Sequence, residues 1–255
     1  MPHSEYHPET YWTEVGQRIA ERAKGQNVIA GDDEPYYRYK RSEFLKLLRA
    51  ADFKNKTVLE LGCGPGGNLL EVLALHPRKL TAVDISAEMI RLARQKVPAE
   101  VAIIKINGTS LPFPDRHFEL VFTATVLQHN TDENMLHKIL AELSRVCSHQ
   151  LILFERIEPK ILGDNLCIGR PIQYYSSLLA QHGFQLIEKK FVRVRASYYV
   201  SGAIRKLFNP SSRREGEPLN KLSVILQKIA LFFTRPLDKI VPATRDVARM
   251  TYERV

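Results

Sequence analysis

Thr57-Val-Leu-Glu-Leu-Gly-Cys-Gly-Pro-Gly-Gly-Asn-Leu-Leu70 joins two kinds of pattern. A short apolar run containing β-branched Val58 breaks into four glycines, and an apolar helical spacing (Leu69, Leu70, Val72, Leu73, Leu75) follows. The pattern reads as strand, tight turn, helix. Glycines at 62, 64 and 66 let the backbone turn without a Cβ and let a ligand lie against it. The helix that opens after them aims its unpaired N–H groups and the positive end of its dipole at the same place. At the carboxyl end of a parallel strand, such a turn is where an open α/β sheet takes a nucleotide-like ligand.

Gly62, Gly64 and Gly67 also satisfy the dinucleotide spacing G-x-G-x-x-G, so the turn alone leaves the cofactor open. Three features narrow it. Glu60 stands two residues before the first glycine, where a carboxylate can face a cationic ligand but is unwelcome beside a pyrophosphate. Asp84 ends a second apolar strand, Leu80 to Asp84, at about the distance at which an acidic residue accepts ribose hydroxyls. Asn107-Gly-Thr-Ser-Leu-Pro-Phe113 follows a third strand, Val101 to Ile106.

At these residues the chain resembles the class I S-adenosylmethionine-dependent methyltransferases, in the small-molecule branch that includes the ubiquinone and menaquinone biosynthesis enzymes. Glu60-Leu-Gly-Cys-Gly-Pro-Gly66 is similar to that family's first motif and Val83-Asp84-Ile85-Ser86 to its second. Asn107 to Phe113 resembles the segment written G-D-A-x-x-L-P-F, with Asn107 where the family usually has Asp; an amide can still pair with an adenine edge. Phe118 to Phe122 and Val126-Leu-Gln-His129 are similar to the fourth motif and its helix. The resemblance runs over roughly residues 35 to 200. It implies a Rossmann-like α/β fold, a seven-stranded mostly parallel sheet with helices on both faces, and S-adenosyl-L-methionine as cofactor. The implied cofactor contacts are Gly62, Gly64 and Gly66 along the methionine, Glu60 beside it, Asp84 and Ile85 at the ribose, and Asn107 with Gly108 at the adenine. Ala124 or Val126 would pack nearby. An N-terminal helix lids the cofactor in the resembled family, and a basic residue there can pair with the methionine carboxylate; Arg38 and Arg41 are the candidates, Arg38 preferred.

The order of patterns divides the chain into four parts. Residues 1–56 are helical and aromatic, an N-terminal cap broken at Asp32-Asp-Glu-Pro35. Residues 57–198 alternate strand and helix as the cofactor-binding core, with strands near 57–61, 80–84, 101–106, 119–123, 150–155 and 184–194. Ser86 and Thr131 are the expected N-caps of helices over 87–96 and 132–147, and Gly183 closes one over 177–182. Residues 199–244 form a basic, apolar insertion: a loop over Asn209–Pro218, a helix over 219–233, and breaks at Pro236 and Pro242. Residues 245–255 supply the last strand. In the resembled family the sixth and seventh strands form an edge hairpin, which puts the insertion beside the acceptor as a lid.

Charge is unevenly distributed. The chain carries a net +9; residues 188–255 hold 15 Lys and Arg against 6 Asp and Glu, and the rest of the chain 22 of each. Leu222, Val224, Ile225, Leu226, Ile229, Leu231, Phe232 and Phe233 are too many apolar residues for one solvated helix. They must cover the acceptor pocket, meet another subunit or sit in lipid, and flanking cations favour an anionic membrane surface. Three cysteines (63, 147, 167) fit no metal spacing and leave one odd, so no metal is expected and a reducing compartment is. Met1-Pro-His-Ser-Glu-Tyr lacks the basic-then-apolar pattern of a signal, and no run reaches the ~20 apolar residues of a bilayer span. A cytoplasmic protein, peripheral to a membrane at most, is the expectation.

Methyl transfer from a sulfonium needs alignment and exclusion of water more than a catalytic triad, and none is present. If the acceptor is a hydroxyl, His129 is the candidate base; the alternative is a structural histidine that caps the turn into the next helix. A nicotinamide-dependent Rossmann oxidoreductase explains Gly62, Gly64, Gly67 and Asp84 but not Asn107–Phe113 or Val126–His129. An RNA methyltransferase using the basic C-terminal region is a further alternative, although no RNA-binding motif accompanies the charge. The acceptor is expected to be a small or lipid-like molecule, with nucleic acid disfavoured.

Overall fold

The computed structural model describes residues 7–21, 34–210 and 219–255. The break expected at Asp32–Pro35 and the loop over Asn209–Pro218 fall mostly outside them. Seven strands form one sheet: β1 (Thr57–Leu61), β2 (Lys79–Asp84), β3 (Ala102–Lys105), β4 (Phe118–Ala124), β5 (Cys147–Ile157), β8 (Phe184–Phe191) and β9 (Asp246–Arg254). Their order is β3-β2-β1-β4-β5-β9-β8. The first five are parallel, and β9 enters antiparallel to both β5 and β8. The sheet order reverses between β1 and β4, so the glycine turn opens at the switch point where a ligand crevice forms. Two-residue strands β6 (Leu162–Gly163) and β7 (Ile168–Gly169) make a small separate hairpin that the sequence pattern did not show. Asp164 ties its turn by accepting the N–H groups of Leu166 and Cys167.

Both faces of the sheet are covered because the central strands are apolar on both sides. One face packs α2 (Pro35–Arg49), α3 (Gly67–Leu73) and α4 (Ala87–Arg94) through Tyr36, Phe44, Leu48, Leu69, Val72 and Ile90. The other packs α5 (Glu133–Val146) and α6 (Ile172–Ala180) through Leu136, Leu140, Leu143, Tyr175 and Leu179. A further helix lies outside the first layer: α1 (Pro8–Ala20) rests on α4 through Val15 and Ile19 against Met89 and Leu92.

Local chemistry explains most helix boundaries. Ser86 starts α4 by accepting the Met89 N–H at 3.2 Å. Asp132, rather than the expected Thr131, caps α5: its carboxylate accepts from Asn134 and Met135, while the Thr131 hydroxyl turns to the Asn165 carbonyl. Helix α6 starts well before residue 177 because Pro171, extended at φ −63° and ψ 150°, is poised to open it.

Between β8 and β9 lie α7 (Arg195–Phe208) and α8 (Lys221–Ile240), a helical hairpin packed on α2. The helix begins at Arg195, earlier than the expected 199. Pro236 does not end α8, which runs on to Ile240. Pro236 is exposed, so the carbonyl it strips of a partner is served by water instead of being buried.

Candidate active site

The turn after β1 is built by backbone contacts that only a glycine permits at two points. Gly62 has φ +72°, and a Cβ there would sit 2.3 Å from Val126 Cγ2, so the β1 turn and the loop after β4 come into contact. Gly66, at φ +83°, caps α3 and packs against the Ala93 backbone of α4, where a Cβ would meet Ala93 Cα at 3.2 Å. The N–H groups of Gly62 and Cys63 both donate to the Val83 carbonyl at the tip of β2.

Asp84 closes the same structure. Its two carboxylate oxygens accept from the Gly64 N–H at 2.8 Å and the Ser86 N–H at 2.9 Å, stapling the glycine turn to the start of α4. Each oxygen keeps a lone pair for a ribose hydroxyl. Burial raises the Asp84 carboxyl above its ordinary range, against the backbone donors that lower it. The neighbouring Cys63 thiol is pushed well up by burial and by Asp84 and Glu60, so it stays protonated and fills space rather than attacking.

Glu60 is wholly buried. Its Oε1 accepts from Asn68 Nδ2 at 3.0 Å, and Asn68 Oδ1 accepts from Arg41 Nη1 at 2.7 Å. Its Oε2 is buried with no partner among the described residues. Burial pushes the carboxyl up to about 8, with Asn68 and Arg41 pulling the other way. A buried carboxylate oxygen lacking a donor fits a cationic ligand, and the ammonium of S-adenosylmethionine supplies such a donor.

Asn107 Oδ1 accepts from the N–H groups of Thr109 and Ser110 at 3.0 and 3.1 Å, and from their hydroxyls. An Asp would form the same turn; the substitution leaves Nδ2 as the group of this side chain that can meet an adenine edge. Ile85 Cδ1 lies 3.0 Å from where a Gly108 Cβ would stand, so Ile85, Gly108 and Asn107 share one end of the cleft. Ala124 and Val126 flank the opposite side at the end of β4.

The two arginines separate. Arg41 is the one beside Glu60, through Asn68. Arg38, one helical turn earlier, lines a different cleft of about 470 Å³ between α2 and α8, with Pro35, Val224, Lys228, Leu231, Phe232 and Arg235.

His129 is held at both nitrogens. A carbonyl can only accept, so the 2.7 Å contact to Leu166 O puts the proton on Nδ1. Gln128 Oε1 accepts the Arg156 N–H, which turns the Gln128 amide NH₂ toward His129 Nε2 at 3.2 Å. Trp12 of α1 meets the imidazole edge-on, with ring centroids 4.9 Å apart. Thr13, next along α1, bonds the Ser86 hydroxyl.

Two residues of this loop were not picked out by motif. Glu155 on β5 is fully buried and accepts the N–H groups of Val126 and Gln128 at 3.1 and 3.0 Å. Burial raises its carboxyl to about 7 against those backbone donors. Thr125 adopts φ +57°, a strained conformation for a β-branched residue, held by its N–H on the Phe154 carbonyl. The visible signal was a glutamate ending the apolar run Leu151 to Phe154; a positive φ at threonine has none. Among the described residues no cluster of His, Cys, Asp and Glu is placed to hold a metal ion.

Comparison with known proteins agrees with this geometry. Residues 58–150 match the family model described as methyltransferase domain. Over 100 residues the chain is 31% identical to a ubiquinone/menaquinone biosynthesis C-methyltransferase of Psychromonas ingrahamii, covering 36% of this chain and 39% of that protein. Over another 100-residue match it is 27% identical to ajmaline N-methyltransferase of Rauvolfia serpentina, covering 37% and 33%. The chain thus spans well under half the length of these two curated relatives. The fold is similar to that of magnesium protoporphyrin IX methyltransferase from Synechocystis with bound S-adenosylmethionine, with a TM-score of 0.62 at 13% identity over 97% of this chain and 95% of that one.

Proposed function

We propose that this chain, whose residues 58–150 match a methyltransferase domain, is a class I S-adenosylmethionine-dependent enzyme that moves the methyl group to a small or lipid-like acceptor by in-line displacement. The observation that carries this is the unpartnered, buried Glu60 Oε2 beneath a glycine turn that Asp84 staples in place. Bound S-adenosylmethionine supplies a methyl carbon on a positively charged sulfur. Glu60 takes its ammonium, Arg41 complements its carboxylate, Asp84 takes the ribose, and Asn107 with Gly108 and Ile85 receives the adenine. The same site argues against a dinucleotide, because a buried acidic side chain beneath the turn offers a pyrophosphate no cation.

The chain's task in the reaction is positioning. Glu155 and strained Thr125 fix the loop after β4, and α1 lays Trp12 against its His129 while Thr13 bonds Ser86 at the start of α4. His129 has both ring nitrogens engaged and serves as a spacer between α1 and that loop rather than as a base. The α7–α8 hairpin beside α2 bounds the acceptor side as a lid, and a lipid-like acceptor would be met at a membrane surface.

Isothermal titration with S-adenosylmethionine and, separately, with NADH tests the cofactor, and release of labelled methyl into lipid extracts tests the acceptor class. Binding of NADH alone would overturn the proposal. In the same assay His129→Ala should lower kcat by less than about tenfold, whereas loss of a general base costs ~10²–10⁴-fold.

A further inference from the structure

The α7–α8 hairpin is built with its polar side inward. The buried residues of α8 are Ser223, Gln227, Leu231, Thr234 and Asp238, spaced at three and four along one stripe, and four of the five are polar. They face the two buried residues of α7, Ser197 and Ser201. Asp238 accepts the N–H groups of Ala196 and Ser197 and the Ser197 hydroxyl, which also bonds Thr234. Most of the apolar residues point the other way. Ile225 and Ile229 are each 53% exposed, Phe233 64%, Phe232 76% and Ile240 79%, and on α7 Tyr199 and Leu207 are exposed as well. A water-soluble amphipathic helix has the opposite arrangement, and an apolar stripe of this length on the surface marks an interaction site.

The charged side chains that α8 itself carries beside the stripe are of one sign. Lys221, Lys228, Arg235 and Lys239 follow one another at spacings of seven, seven and four, so they form a row along one side of α8. The helix's single acid, Asp238, is turned into the α7 contact and offsets none of them. Neither Lys228 nor Arg235 has a carboxylate at ion-pair distance among the described residues. Both line the cleft with Arg38, Val224, Leu231 and Phe232, so cations and apolar wall meet there.

We infer that this hairpin docks the protein on an anionic lipid surface, with the stripe in the interface and the row of cations against the headgroups. A second copy of the chain is the other occupant of an apolar face, but a two-fold contact through this stripe brings two uncompensated cation rows together. An anionic bilayer complements both features at once. Among the described residues no helix is long and apolar enough to cross a membrane, which fits docking in the plane of the interface. The inference deepens the lipid-like acceptor proposed above by naming the surface where it is met, and it rests on that reading only for its purpose.

Co-sedimentation of the full chain with phosphatidylcholine vesicles, with and without a minority of phosphatidylglycerol, tests it. The expected result is at least a tenfold preference for the anionic vesicles that weakens at high salt. Ile229→Glu with Phe233→Glu should lose at least tenfold in vesicle binding. Lys228→Glu with Lys239→Glu should lose more than the roughly fivefold expected for one interfacial charge. All four positions are exposed, so melting temperature and S-adenosylmethionine binding should stay unchanged. Absence of sedimentation at low salt, equal binding to uncharged vesicles, or variants that bind like the parent would each overturn the inference. So would a dimer in solution that Ile229→Glu converts to monomer. Because cofactor affinity is read separately, failure on vesicles leaves methyl transfer standing, and failure of methyl transfer leaves vesicle docking standing.

Discussion

If Glu60 receives the ammonium of S-adenosylmethionine as proposed, cofactor binding is coupled to a proton. The Glu60 carboxyl, pushed up to about 8 by burial, is mostly protonated at pH 7 in the free protein, and a cationic partner at Oε2 ionises it. Titration with S-adenosylmethionine at pH 7 in buffers of different ionisation enthalpy should therefore show release of close to one proton. In Glu60→Gln the release should vanish and affinity should fall by about 1.5–3 kcal/mol, the worth of a hydrogen bond to a charged group. Stability moves the opposite way. The folded protein holds a proton that the unfolded chain has lost above its ordinary carboxyl range near 4.3, so this group makes stability fall as pH rises from there to about 8. At pH 8 the unliganded Glu60→Gln protein should melt no lower than the parent. A lower melting temperature would mark Glu60 as a structural group instead. The importance of Glu60 was legible from its place before the glycines. Its isolation was not, because burial depends on what packs over the strand tip. The engagement of both His129 nitrogens was equally hidden, since Leu166 reaches the site from the β6–β7 turn and Arg156 orients Gln128 from β5, both far along the chain.

At the level of elements, α1 and α8 are the two whose roles depend on a face. Helix α1 approaches α4 closely because Gly16 has no Cβ: one would meet Glu88 Cγ at 2.9 Å and Cβ at 3.2 Å. Gly16→Leu should push α1 off α4 and withdraw Trp12 from His129. Trp12 is the chain's single tryptophan, so its emission reports that contact directly and should shift to longer wavelength. Cofactor affinity should drop at least severalfold while the melting of the core sheet changes little. Unchanged emission with unchanged affinity would show that α1 does not cover the site. The spacing that sets Ser223, Gln227, Thr234 and Asp238 on one stripe was present in the sequence. Counting apolar residues predicted a helix but not its orientation, which required knowing that Ser197 and Ser201 of α7 were its neighbours.

The whole molecule separates a cofactor sheet from an added hairpin, and the strand register shows where the two can be divided. Strands β8 and β9 are antiparallel neighbours paired from Phe184↔Arg254 to Phe191↔Ala248, with the Val192 N–H still bonded to the Val247 carbonyl. Their ends are close enough for a short turn, so the 50-odd residues of the α7–α8 hairpin enter and leave the sheet at almost one point. The alternation of strand and helix, and the ligand turn at the carboxyl end of β1, were readable from periodicity and the glycines; the switch point between β1 and β4 came from the strand order. The hairpin of the last two strands rested on family resemblance, and the insertion of β9 between β5 and β8 was not foreseen, since no local pattern specifies which strand pairs with which. Replacing Arg195–Pro242 by a short Asn-Gly turn should leave the parallel sheet and the glycine turn intact, because among the described residues neither Asp84, Glu60 nor Asn107 is hydrogen-bonded to the hairpin. The truncated protein should lose stability, since Leu231 leaves the cluster that contains Tyr36 and Tyr39, whose apolar surface would be exposed to water at ~25 cal/mol per Å². S-adenosylmethionine affinity should stay within about threefold of the parent, the spread expected for sites that share no partner. Turnover of an apolar acceptor and binding to anionic vesicles should both disappear. If acceptor turnover persists at the parent rate, the hairpin is not the lid. If cofactor binding is lost while the far-ultraviolet circular dichroism stays native, the hairpin shapes the cofactor cleft through α2, and Arg41 rather than the sheet transmits its effect.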